Sequence, residues 1–86
     1  MEVMKVSSRT DPAKLAGAIA EVTKKDGAVR VQAIGAGSVN QAMKGIIISR
    51  GYLVPTGVDT CIVPGFYNAR MDDREVSGIT MEVRAL

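Results

Sequence analysis

The chain has 86 residues, a net charge of +2 and 47% hydrophobic residues. That composition excludes a disordered polymer, and no apolar run reaches the roughly 20 residues of a membrane span. A single cysteine excludes an internal disulfide framework, and the absence of histidine removes the usual general base and metal ligand.

The first expected element is a strand over residues 2–7 (EVMKVS), short and valine-rich. Asp11-Pro12 then opens a helix: Asp at the N-cap accepts orphan backbone N–H groups, and Pro at N1 lacks the N–H that would go unpaired. Leu15, Ala18, Ile19 and Val22 recur at helical spacing as one buried stripe. Gly27 is the expected left-handed residue closing the helix, with Lys24 and Lys25 suited to its C-terminal dipole. Residues 28–34 (AVRVQAI) read as a second strand. Ser38 with Gln41 three residues on matches a capping box for a second helix. Val39, Ala42, Met43, Ile46, Ile47 and Arg50 share one mostly apolar face of that helix, and Gly51 is expected to close it. Ile48 falls off the face and suits packing on a partner.

Tyr52-Leu53-Val54 reads as a short extended piece before a turn at Pro55-Thr56-Gly57. Residues 58–68 (VDTCIVPGFYN) read as a strand interrupted at Pro64-Gly65, which places it at a sheet edge or a bulge. A charged tip follows over residues 69–75 (ARMDDRE). The last strand alternates, with Ile79, Met81, Val83 and Ala85 on one side and Thr80, Glu82 and Arg84 on the other. The expected fold is α+β: a two-layer sandwich in the order β-α-β-α-β-β, with two helices on one face of a four-stranded sheet. Residues 1–86 form a single domain in this reading. A domain this small gains from a partner subunit. The N-terminus MEVMKVSS lacks the charged and long apolar segments of a signal peptide, and the expected compartment is the cytoplasm.

Enzyme chemistry finds little support. Cys61, in an apolar strand without a nearby base, reads as a small core residue. Asp72, Asp73 and Glu75 read as a solubilising turn, with a loose cation site as the lesser alternative. No cofactor is implied. Gly35-Ala36-Gly37 fails both common phosphate signatures, because Asn40 stands where each requires glycine. Asp59 lies near the spacing of a ribose-binding acid but adjoins a turn, and the chain is too short for a dinucleotide domain. What remains is a set of polar and basic groups. In the expected topology both helix starts lie at one end of the sheet. Arg9, Lys14, Ser38, Asn40, Gln41 and Lys44 can then converge there, with Arg70 and Arg74 on the hairpin tip; the alternative is an ordinary charged surface, since Asp11, Asp72, Asp73 and Glu75 dilute both clusters. Cations neutralise phosphates, while Ser, Asn and Gln position them. With tryptophan absent and only two tyrosines and one phenylalanine, an aromatic platform for stacking single-stranded bases is poorly supplied.

The stretches MEVMKVSSRTDPAKLAGAIA and VQAIGAGSVNQAMKGIIISRGYLVPTGVD, with the closing hairpin, resemble the bacterial stage V sporulation protein S family. The resemblance covers essentially the whole chain. That family is similar in fold to Alba, the small archaeal chromatin and RNA-binding protein. The resemblance implies an Alba-like homodimer that binds DNA or RNA and regulates sporulation or related development, in the cytoplasm or at the nucleoid. It places contacts in the first strand-to-helix loop (Arg9, with Lys14), at the second-helix start (Gly35, Gly37, Ser38, Asn40, Gln41) and on the hairpin arms. Ile34 and Ala36 stand where the archaeal pattern carries arginines, which leaves room for weaker, RNA-directed or partner-assisted binding. The alternative is a regulatory adaptor that takes a protein or small anionic ligand at the Gly35–Gln41 turn.

Overall fold

A computed structural model describes all residues from Met1 to Leu86. The order is β1 (Val3–Val6), α1 (Pro12–Asp26), β2 (Ala28–Ala33), α2 (Ala36–Leu53), a 3-10 turn (Val54–Thr56), β3 (Thr60–Met71) and β4 (Arg74–Ala85). This is the expected β-α-β-α-β-β sequence of elements. The strands form one sheet in the order β1-β2-β4-β3. β1 and β2 are parallel, joined by α1 as a crossover, while β2–β4 and β3–β4 are antiparallel.

The start of α1 follows its sequence. Asp11 accepts a hydrogen bond from the Ala13 amide, and Pro12 occupies the first turn. Gly27 closes the helix at φ 82°, a left-handed conformation that glycine adopts without strain. The buried face is rotated from expectation. Ala16, Ala20 and Thr23 join Leu15 and Ile19, while Ala18 faces solvent and Val22 is half-buried. Small residues bring α1 close to its neighbours, and counting large apolar residues alone misses them.

The second helix departs further. Its N-cap is Gly35, with no side-chain cap; Ser38 lies inside the first turn and is buried. The expected capping box therefore does not form. The buried face of α2 is Ser38, Ala42, Gly45, Ile46, Ser49 and Leu53. Met43, Ile47 and Ile48 all face outward. Gly51 does not end the helix, and Tyr52 and Leu53 are helical rather than extended, because fully buried Leu53 anchors another turn. Pro55 and left-handed Gly57 stop the chain instead.

Both helices cover the same sheet face. The core joins Leu15 and Ile19 of α1 and Ala42 and Ile46 of α2 to Val6, Val29, Val31, Ala33, Met81 and Val83 of the sheet. Each fully buried Val, Leu, Ile or Met side chain contributes about 1.5–3 kcal/mol. The helices approach closely at Gly45, where an added Cβ would stand 2.6 Å from Leu15 Cδ2.

β3 runs unbroken through Pro64-Gly65, with Pro64 in register with Met81. The expected interruption is absent, since an edge strand tolerates proline. The charged tip is also shorter than expected. Pairing continues to Met71–Arg74, so only Asp72 and Asp73 turn the chain, at φ 50° and 64°. Positive φ at both central residues is the type I′ pattern, which Asp tolerates through local hydrogen bonding. Ala85 is exposed at the sheet's end.

The other sheet face carries no helix. Lys5, Arg30, Glu82 and Arg84 lie on it, as do Cys61, Val63 and Tyr67 of β3. Cys61 is thus exposed, not a core residue. Glu82 is buried between two guanidiniums, Arg84 and Arg30, the latter 3.0 Å away. Hydrogen bonds from Arg84 and then Arg30 hold its carboxyl below the usual carboxylate range.

Candidate functional site

Register places three features at one end of the sheet. β1 and β2 both finish there, leading into the Ser7–Thr10 loop and the Gly35 turn. β4 pairs with β2 only from Ile79 to Arg84, with Ile79 opposite Ala33. The remainder of the hairpin, residues 67–78, is a two-stranded arm projecting from that same end. It helps draw the molecule out to 45 × 22 × 15 Å.

The two helix starts are tied together. Ser7 and Thr10 fold the first loop through the Ser7 N–H to Thr10 Oγ1 bond of 2.9 Å, which leaves Arg9 at an exposed tip. The Gln41 side-chain amide donates to the Thr10 carbonyl at 2.9 Å. An added Cβ on Gly37 would stand 3.1 Å from Ser8 Cβ, so the missing side chain permits the contact. Gln41 thus joins loop to helix instead of capping its own helix.

The uncapped start of α2 has a chemical consequence. Val39 N–H bonds to the Gly35 carbonyl, but the Ala36, Gly37 and Ser38 amides have no acceptor within the chain. Ala36 and Gly37 are exposed. Free amides at the positive end of an 18-residue helix favour an anion. Exposed Arg9 and Lys14 flank this end, and Lys44 lies about two turns further along α2. Arg70 and Arg74 are exposed near the arm tip, on opposite faces of the hairpin. Ser38 is buried and is withdrawn from any direct contact with a ligand.

Asn40 lines an apolar groove of about 610 Å³ that begins at the same turn, with Gly35 and Ala36 at one end and Val39, Met43, Phe66 and Ile79 beyond. Its amide also reaches Gln41 Oε1 at 3.4 Å. Phe66 is 82% exposed; Ile47 on the outer side of α2 and Val54 in the 3-10 turn after it are exposed apolar residues as well. Sequence reading placed Met43 and Ile47 in the core and left Phe66 without a role. The available signal was the number of apolar residues on α2, too many for one buried face. Asp59 is committed to structure: Arg50 grips its two oxygens at 2.9 and 3.0 Å, joining α2 to the start of β3. That pairing holds the Asp59 carboxyl below its ordinary range and raises the Arg50 guanidinium.

A model of the family described as stage V sporulation protein S (SpoVS) matches residues 2–86. The chain belongs to the SpoVS family. Among solved structures, this SpoVS chain is similar to Alba from Thermoplasma volcanium, with a TM-score of 0.65 and 12% sequence identity over 98% of both chains. At that identity the likeness establishes the shared fold, which is the Alba-like architecture expected from the sequence. No helix is long and apolar enough to cross a membrane.

Proposed function

We propose that the protein is a homodimeric, non-enzymatic regulator of sporulation or related development that binds the phosphate backbone of DNA or RNA. The observation that carries this reading is the joining of two helix starts at one end of the sheet. Free amides of Ala36 and Gly37, the cations Arg9 and Lys14, and the projecting arm with Arg70 and Arg74 all lie at that end. Lys44 extends the cationic rim. The family supports the developmental role, and the fold shared with Alba supports the ligand class. Gln41 and Gly37 position the site from within, while Gly35 leaves the helix uncapped.

Binding that rests on phosphates is salt-dependent, with a log–log slope of about −0.9 per neutralised phosphate on B-DNA. Anisotropy titrations of labelled duplex DNA and RNA over a salt series test this. The combined variant Arg9→Gln, Lys14→Gln, Lys44→Gln should flatten the slope by up to about 2.7 on duplex DNA. No binding at low salt, or an unchanged slope in the variant, refutes the reading.

The groove between α2 and the arm supports self-association. Its apolar lining and exposed Phe66 match the character of a buried interface core. Light scattering should give the mass of a dimer at micromolar concentration. A small anionic ligand at the same uncapped turn is the second reading, favoured by the free amides alone. It predicts a thermal shift with nucleotides or inorganic phosphate and none with oligonucleotides beyond that effect.

A further inference from the structure

The helix-free face of the sheet lies opposite the core and belongs to neither the joined helix starts nor the apolar groove. Strand register lays out its side chains. Val3, Arg30, Glu82 and Val63 form one row across the four strands, and Lys5, Gln32, Thr80 and Gly65 form the next. Beyond Thr80, Gly78 pairs with Tyr67; at the other end, Arg84 pairs with Cys61. The arm adds Arg74 to the same face. Four cations therefore share this face with one carboxylate, Glu82.

Two features make the face more than a charged surface. Glu82 holds Arg30 and Arg84 side by side, leaving each guanidinium with unused N–H groups and each side chain about half exposed (42% and 53%). Guanidiniums ordered in advance lose less entropy on meeting a phosphate. The second feature is Tyr67. Its ring lies directly over Gly78, where an added Cβ would come within 2.3 Å of the ring. One side of the ring rests on the sheet, and no helix covers the other. A flat aromatic ring on an open sheet that carries cations along its length, although none is the ring's immediate neighbour, is an arrangement that can accept an unstacked base at one point and backbone phosphates further along.

We propose that this face binds one single strand of RNA or DNA. Tyr67 stacks one base, while Lys5, Arg30 and Arg84 contact phosphates and the Gln32 amide hydrogen-bonds a base edge. A lone ring gives a single stacking position, so the site anchors a strand and does not read a long sequence. A duplex hides its bases and cannot use Tyr67. Arg74 on the arm is common to this face and the helix-start site; the remaining residues of the face belong to it alone, and the test rests on those.

The probe is a short fluorescein-labelled oligouridylate, with a duplex of the same length and polyglutamate as comparators. Tyr67→Leu keeps an apolar cover on Gly78 but removes the π-face. It should weaken single-strand binding roughly 5- to 100-fold and leave duplex binding unchanged. Tyr67→Phe should bind as the parent does. Amide chemical-shift mapping on the parent protein should move Lys5, Arg30, Gln32 and Gly78 on adding oligouridylate, which needs no variant to fold. Equal losses on single strand and duplex overturn the proposal. So do shifts confined to residues 8–14 and 35–44, or polyglutamate competing as well as oligouridylate. Loss of binding only in the Arg9, Lys14 and Lys44 variant rejects this face and leaves the helix-start reading intact.

Discussion

Gly45 offers a direct test of how the two helices meet. It lies in the buried face of α2, and Leu15 of α1 occupies the space its side chain would need. In Gly45→Ala the new methyl would meet Leu15 Cδ2 at 2.6 Å, Cγ at 2.9 Å and Cβ at 3.2 Å. Turning the end of Leu15 away clears only the first contact, so the helices must separate. Overpacking of this kind costs about 1–3 kcal/mol. Alanine's better helix propensity returns about 0.8–1.0 kcal/mol. The expected net loss is near 1 kcal/mol, or about 4–8 °C in Tm for a domain of this size. Gly17 provides the control, because nothing lies within 4 Å of its added Cβ. Gly17→Ala should therefore stabilise by up to about 1 kcal/mol through propensity alone. The assay is thermal unfolding by circular dichroism, with all variants at one protein concentration because oligomerisation shifts Tm. Leu15→Ala completes a double-mutant cycle. Alone it should cost about 2–5 kcal/mol, and combined with Gly45→Ala it should cost less than the sum. A Tm for Gly45→Ala that rises as Gly17→Ala does would refute the close crossing.

Phe66→Asp should abolish self-association and leave a folded monomer, seen by light scattering with circular dichroism; an unchanged mass would remove the groove from the interface. Gly35 adopts φ 90° and ψ 155°, a region essentially reserved for glycine, so Gly35→Ala should cost about 1–3 kcal/mol in urea unfolding. A cost near zero there would contradict the assigned turn. Acid should destabilise the fold through Asp59 and Glu82. Both carboxyls are held below their ordinary range by arginines, so their contribution is present above the unfolded pKa of about 4. It is lost as pH falls through the depressed folded values. Asp59→Asn and Glu82→Gln should each lower Tm at neutral pH and flatten its decline below about pH 4. A decline unchanged in both variants would exclude these pairs as its source.

Much of the architecture was legible because the signals were local and strong. Asp11-Pro12 and Gly27 bracket α1 through backbone chemistry that no tertiary contact needs to override. Strand alternation in β4 revealed its buried face, and Pro64 correctly pointed to an edge. The start of α2 was not legible. Ser38 and Gln41 have capping-box spacing, but the loop after β1 packs so closely that Ser38 is buried and Gln41 bonds to Thr10 instead. That contact spans 31 residues and leaves no local trace. The α2 face was misjudged for a related reason. Helices in close contact bury Gly45 and Ser49, whereas hydrophobicity favours Met43 and Ile47, which the fold turns outward. For the candidate site, the meeting of the helix starts followed from topology alone. The uncapped amides and the position of Asn40 in the groove required the structure.

The sheet order also governs how copies of the chain can add to one another. β3 is a 12-residue strand with one side unpaired, and β1 at the opposite edge has only four residues. A long bare edge is a template for strand-by-strand growth, which has no natural end. Pro64, midway along β3, removes a donor from that template, and the cation at Arg70 adds repulsion between like edges. The dimer proposed above would use side chains on α2 and Phe66 instead; two copies covering the same patch on each other would form a closed pair. The proline read from the sequence as a break in a strand thus interrupts the one edge long enough to template fibres.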